Sequence, residues 1–237
     1  MTADLRPTHE ELHAAVKKFR NEAVNNLTCT PDQTRALKSL TLEPPEQLAV
    51  LKDGSRSLVG SHTLDDGTDC VLKYYYPKNI AKKINYGLRG SRAMRSWIAA
   101  RAFEYLKIPT PSAMMISETK SSSKITLEQS FLACHLAKGI PLSSVTETSR
   151  LEEIAPLLQK AFDRMEAYRI SHGDLKANNL IITEDNRIYF IDLDGTHILS
   201  SEKRWTKHWQ RDRLRFIKNW PESSPARKIF SGVISTV

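Results

Sequence analysis

The stretch Ser171–Gly195 reads SHGDLKANNLIITEDNRIYFIDLDG. Two short apolar runs, NLIIT and IYFIDL, flank the turn-forming EDNR, which predicts a pair of strands. Ahead of them stand His172, Gly173, Asp174, Lys176 and Asn179, and behind them stands Asp192. A plain hairpin with polar turns is one reading. The other is a site for moving a phosphoryl group. That chemistry needs a carboxylate near the acceptor hydroxyl, a cation near the transferred phosphate, and hard oxygen ligands for magnesium.

Spacing helps to separate the two. Asp174 precedes Asn179 by five positions, and Asp192 follows Asn179 by 13. This is the order of a kinase catalytic loop, an Asp, then an Asn, then a metal-binding Asp beyond a hairpin. Lys176, two residues after Asp174, adds a cation. Upstream, Lys73 in CVLK stands on a predicted strand among apolar neighbours, where an unpaired ammonium is costly. It reads either as a snorkelling edge lysine or as a phosphate-binding one. KDGSRSLVG offers Gly54, Ser55 and Gly60 without three-glycine spacing. Its backbone N–H groups could wrap phosphates, or it could be an ordinary hairpin turn. Trp205, Trp209, Asp212 and Phe216 recur at helical spacing, so Asp212 falls on an apolar stripe. A carboxylate there needs donors, and the loop amides around Asp174 are the obvious ones, a bracing role. His172 reads as another loop brace and Asn178 as a loop-forming neighbour. Asp194 is a second carboxylate or a turn former, and His197 and His208 have no partner at useful spacing.

Working outward, 237 residues suit one domain of two lobes or two small domains. With 40% hydrophobic and 26% charged residues, the chain reads as soluble and globular. The start lacks an apolar core behind a basic head, so no signal peptide is expected. No apolar run approaches a membrane span. The three cysteines, Cys29, Cys70 and Cys134, lack metal-type pairing and fit reduced thiols. Residues 1–45 read as a short helical extension, with Thr8 and Glu11 forming a capping box. LAVL, RSLVGSHTL and DCVLKYYY predict three antiparallel strands. A helix is expected over 91–106 with Met94, Trp97, Ile98, Arg101 and Tyr105 on one face. SAMMIS and ITLEQSFLACHL predict two more strands around the polar turn ETKSSSK. The second half is mainly helical. A stripe of Leu157, Leu158, Ala161, Met165 and Tyr168 carries one helix with Pro156 in its first turn, and a last helix covers about 203–220. A small sheet lobe followed by a helical lobe can grip a nucleotide. From Lys78 to Arg101 there are seven cations and no acid. Such a run reads as a solvated face or as a surface that meets something anionic.

These segments, VLKDGSRSLVGSHTLDDGTDCVLKYY, LRGSRAMRSWIAARAFEYLKIPTP, HGDLKANNLII, IDLDG and RDRLRFIKNW, resemble the lipopolysaccharide core kinases of Gram-negative bacteria. That group is the Kdo/heptose kinase family with its smaller relatives. The resemblance covers about residues 46–220 and is strongest over 171–195. It implies an α+β, protein-kinase-like fold of two lobes. The N-lobe would be a small five-stranded antiparallel sheet with one helix, and the C-lobe mainly helical, shortened after the segment that follows Asp192. The expected boundaries are 1–45 for the extension, 46–137 for the N-lobe and 138–237 for the C-lobe. The resemblance also implies ATP and magnesium as cofactors and a core sugar hydroxyl as acceptor, at the inner face of the cytoplasmic membrane. Asp174 would be the catalytic base, Lys176 would neutralise charge, and Asn179 and Asp192 would bind magnesium. Lys73 would hold the ATP phosphates, with Gly54 and Ser55 in the phosphate loop. The backbone around Ala133–His135 would pair with adenine. Kinases usually pair the strand lysine with a helix Glu. Here Ser96 stands at that place, so either Glu104 is recruited or the pair is absent.

Other readings stay open. One is a kinase of another small molecule or of protein Ser/Thr, and another is a nucleotide-binding pseudokinase. Asp212 follows Asp192 by only 20 positions, with no Ala-Pro-Glu-like segment between them, which argues against a protein substrate. The expected location is cytoplasmic, with peripheral membrane contact. Nucleic acid is not expected as a partner, because only net charge points to it.

Overall fold

The computed structural model describes residues 7–25, 29–122 and 125–234, so the end of the SSS run and Lys124 of the predicted turn lie outside the described residues. The fold is mixed, with helices and a five-stranded antiparallel sheet. The chain divides into two compact units, one of Ala14–Arg101 and Pro111–Leu136, the other of Met1–His13, Ala102–Thr110 and Ala137–Val237.

In the first unit β1 (Ala49–Gly54), β2 (Ser57–Thr63), β3 (Asp69–Tyr75), β4 (Ala113–Lys120) and β5 (Leu127–His135) form one sheet in the order β1-β2-β3-β5-β4. Alternation decides its faces. Cys70, Leu72 and Tyr74 of β3 are buried with Phe131 and Ala133 of β5, and Leu37 closes this core. Leu37 belongs to α2 (Pro31–Ser39), which starts at a capping box between Thr30 and Gln33. The Tyr74 hydroxyl donates to the carbonyl of Leu40 at 2.8 Å. The segment before the strands is therefore a layer of the sheet unit's core. Part of α1 (His9–Asn25) joins it, where Phe19 accepts a hydrogen bond from the Trp97 indole at 2.9 Å.

Two helices, rather than the single expected one, separate β3 from β4. They are α3 (Ile80–Arg89), capped by Asn79, and α4 (Arg92–Tyr105). Within α4 the expected face is only partly right. Trp97 and Ile98 are buried, whereas Tyr105 is 41% exposed and small residues such as Ala93 and Ala102 share the buried side.

The helical unit is organised by aromatic rings. Phe162 lies on α5 (Thr148–Ala167), and its ring meets Phe190, Trp209 and Phe216 at 6.2, 5.7 and 5.7 Å in edge-on geometry. Trp209 and Phe216 are on α6 (Glu202–Ile217). A further helix, α7 (Pro225–Ile234), adds Phe230 against Phe216. Pro156 sits in the middle of α5, not in its first turn. It and Glu152 both lie on the exposed side, where water can serve the carbonyl that loses its partner. Leu157 is likewise exposed, while Leu158, Ala161, Met165 and Tyr168 are buried. The predicted strand pair is β7 (Leu180–Ile182) and β8 (Ile188–Phe190), joined at one edge by the two-residue β6 (Ile140–Pro141).

Candidate functional site

Gly173 has φ +83, and a Cβ at this position would overlap the carbonyl oxygen of Gly195. The loop His172–Asp174 can therefore lie against Leu193–Gly195 only with glycine at 173. Reciprocal backbone bonds between Ser171 and His197, at 3.0 and 2.9 Å, fasten the two segments. From the other side comes Asp212, 1% exposed on α6. Its carboxylate accepts from the amides of Gly173 (2.9 Å) and Leu175 (3.3 Å). This is the bracing role that its helical phase predicts. His172 is fully buried, with Nδ1 accepting from the Asp174 amide (3.4 Å) and Nε2 3.0 Å from the Ile191 carbonyl. Those partners select the neutral Nε2–H tautomer. Burial pushes the imidazole pKa down, against the opposing pull of Asp212, Asp192 and Asp174. His172 is thus a brace. Asn178 bonds Ser143 in the 3-10 turn Leu142–Ser144, as a loop-forming neighbour does.

Held this way, Asp174 presents a half-exposed carboxylate touched from three directions. Lys176 Nζ is 3.0 Å from Oδ2, and Asn179 Nδ2 donates to Oδ2 (3.2 Å) and to the Asp174 carbonyl (2.9 Å). Arg215 Nη1 donates to Oδ1 (2.8 Å) and to the Gly173 carbonyl (2.9 Å). Half-exposed pairs contribute little to stability, about 1 kcal/mol or less each. What they fix is orientation. The sequence reading did not single out Arg215. Its only signal was a place three residues after Asp212, on the same side of α6.

Asn179 is 6% exposed, and because its Nδ2 is committed to Asp174, its Oδ1 faces the other way. Its carbonyl accepts from the Ile191 amide (2.9 Å), which sets Asp192 two residues past the pairing of Leu180 with Phe190. Asp192 is left-handed, with φ 61 and ψ 52. A non-glycine residue held there costs about 1 kcal/mol, and such strain gathers at functional positions. Among the described residues no three His, Cys, Asp or Glu side chains form a cluster for a metal. Magnesium does not require one, since it keeps several waters and takes one or two carboxylates together with phosphate oxygens. An Asn oxygen and one Asp carboxylate, both hard donors, fit that ion.

The other predicted residues lie in the sheet unit. Lys73, half-buried on β3, pairs across to Val59 of β2 and Leu132 of β5, and its charge acts on the Cys134 thiol. Lys73 thus shares a face with Tyr75, and that ring carries the Arg92 guanidinium at 4.5 Å. Gly54 and Ser55 sit at the exposed β1–β2 turn, where a Cβ on Gly54 meets nothing closer than 3.8 Å. The turn itself does not demand that glycine. Gly60 is the constrained one, since a Cβ there comes within 2.9 Å of the Ala49 carbonyl.

Ala133 is mid-strand, paired with Leu72 on one side and Met115 on the other. The His135 amide donates to Ser112, and the Leu136 amide to Asp69, both at 3.0 Å. The amides of His135 and Leu136 are therefore already engaged. His197 and His208, which the sequence left without partners, lie with ring centroids 4.2 Å apart. Only folding brings them together.

A model of the lipopolysaccharide kinase (Kdo/WaaP) family matches residues 46–225, well over half of the chain and all of the loop described above. No curated protein matches it.

Proposed function

The chain belongs to the lipopolysaccharide kinase (Kdo/WaaP) family, and from that membership we propose that it transfers a phosphoryl group from ATP, with magnesium, to a sugar hydroxyl of the lipopolysaccharide inner core, on Kdo or heptose. The observation that carries the reading is the Asp174 carboxylate, fixed by Lys176, Asn179 and Arg215 in a loop braced by Asp212. Phosphoryl transfer asks little covalent chemistry of a protein and depends on positioning and charge. Asp174 orients the acceptor hydroxyl and takes its proton at a carboxylate oxygen. Lys176 offsets negative charge as the phosphoryl group moves. Asn179 and Asp192 hold magnesium, which neutralises charge on the phosphate oxygens when bound. Lys73 holds the ATP phosphates with the turn at Gly54 and Ser55, and the backbone around Ala133–His135 meets adenine. Between Leu193 and Ser201 there is one 3-10 turn and the bridge of Ser171 with His197. That short stretch gives a peptide-docking platform little chain to be built from, which favours a small or glycolipid acceptor.

The test is ADP release with magnesium, with and without purified core acceptor, for wild type and Asp174→Asn. Acceptor-dependent release that falls roughly a hundredfold or more in the variant is the expected result. ATP binding without release under any acceptor would instead make the chain a nucleotide-binding pseudokinase.

A further inference from the structure

Arg204, His208, Arg211 and Arg215 each precede one residue of the buried stripe Trp205, Trp209, Asp212 and Phe216. They therefore form a second stripe on α6, turned by about 100° from the first. Its three arginines are exposed and His208 is half-buried. Asp212 on the first stripe bonds the Gly173 amide, and Arg215 on the second bonds the Asp174 carboxylate. The catalytic loop thus meets the cationic stripe at Arg215, and Arg211 lies one turn, about 6 Å, back along the axis.

A second segment closes in on the stripe. His197, whose backbone bridges to Ser171 ahead of the loop, lays its ring against His208, with centroids 4.2 Å apart. After burial, it is the charges of Arg204, Arg211 and Lys207 that hold the His208 imidazole below its ordinary value. The acid that opposes them, Asp212, is already bonded to two amides. Elsewhere in this unit arginines are engaged, Arg150 with Asn186, Arg169 with Glu202 and Arg187 with Asp185. Among the described residues Arg204, Lys207 and Arg211 have no carboxylate within ion-pair reach. Like charges three and four residues apart weaken a helix. The fold itself gains nothing from gathering these cations beside the reactive carboxylate, which leaves a ligand to account for them.

We propose that this stripe is an anion subsite for the acceptor. While Asp174 meets the reacting hydroxyl, Arg211 and Arg204, beside His208, hold an acidic substituent, carboxylate or phosphate, carried by the same acceptor. One helical turn is a distance that a single sugar or its neighbour spans, so the charge belongs to the reacting sugar or to the next one. The subsite rests on the kinase reading for its link with an acceptor, but its binding of acidic sugars does not.

The experiment titrates the full chain, without ATP and at fixed ionic strength, with four free sugars followed by NMR. The sugars are Kdo and its methyl ester, and a heptose phosphate and heptose. Wild type is compared with Arg204→Ala, Arg211→Ala and Lys203→Ala, the last an exposed cation of α6 that lies off the stripe. Wild type is expected to bind an acidic sugar roughly tenfold or more tightly than its neutral counterpart, and the two pairs tell carboxylate from phosphate. Arg204→Ala and Arg211→Ala should each lose most of that preference, and Lys203→Ala should keep it. The proposal is overturned if wild type binds charged and neutral sugars alike. It is equally overturned if Lys203→Ala loses as much as Arg211→Ala, as a diffuse positive surface would require. Turnover on purified core acceptor is measured alongside. There Arg211→Ala should raise KM with little change in kcat, whereas a lower kcat at unchanged KM would give the stripe to the transferred phosphoryl group and overturn the proposal. Absent wild-type turnover would count against the kinase reading and leave the sugar titrations to decide the subsite.

Discussion

Gly173, Arg215 and His172 each constrain the Asp174 loop by a different physical means. At Gly173 the means is steric. Gly173→Ala should cost about 2 kcal/mol or more, because it combines a positive φ with a clash against Gly195. The check is a lowered melting temperature accompanied by a fall in turnover. At Arg215 it is a charged hydrogen bond. Arg215→Ala should reduce kcat by about ten- to a hundredfold with little change in melting temperature, and Arg215→Lys should recover part of it. An unchanged kcat in Arg215→Ala would remove this residue from the mechanism. At His172 the means is protonation. Its native pKa lies below the ordinary imidazole value of about 6.5. The unfolded chain therefore takes up a proton first as pH falls, and stability drops from about pH 6.5 downward. Melting temperatures from about pH 7 to about pH 5 should show this loss, and His172→Gln should flatten it. Asp174, Asn179 and Asp192 were legible because their order and spacing lie within one local segment. Arg215 was not, because Arg211 and Arg213 are chemically identical neighbours and only folding shows which of the three reaches the loop.

At the scale of elements, α6 links the rings to the loop, since Trp209 and Phe216 pack on Phe162 while Asp212 between them faces the Gly173 and Leu175 amides. Asp212→Ala would strand two amide donors and should destabilise by about 2–4 kcal/mol. Phe216→Ala should cost about 3–5 kcal/mol by leaving a cavity. Denaturant titration separates them, because Asp212→Asn, which keeps one acceptor, should recover part of the first loss and has no counterpart for the second. The strands were well marked, with β-rich runs broken by turn clusters, and β3 alternates as its sequence implies. Three elements were not foreseen, for separate reasons. In α3 the cations drew the reading, and Gly87, poor for a helix, is there for close packing on β5. β6 is two residues long and exists only by pairing with β7. α7 begins at Pro225, and its worth comes from Phe230 meeting rings far away in the chain.

For the molecule as a whole, the first forty-odd residues read like an appendage, yet they contribute to both units. Leu37 is fully buried on the sheet, and the Tyr168 hydroxyl of the helical unit donates to the Pro7 carbonyl at 2.6 Å. Removing residues 1–45 would uncover Leu72 and Tyr74, so the shortened chain should be recovered insoluble or as a dye-binding, loosely packed species. Recovery of a soluble chain with the wild-type melting temperature would refute that. Among the described residues no helix is long and apolar enough to cross a membrane. The bonds from Asp212 to the loop span 39 and 37 positions of sequence, and this separation sets a timetable. During synthesis the chain emerges from its N-terminal end. The hairpin after Asn179 can close early, but the amides of Gly173 and Leu175 wait until α6 has left the ribosome. A nascent chain that stops short of residue 212 would carry Asp174, Lys176, Asn179 and Asp192 and still lack the clasp that gives their loop its shape.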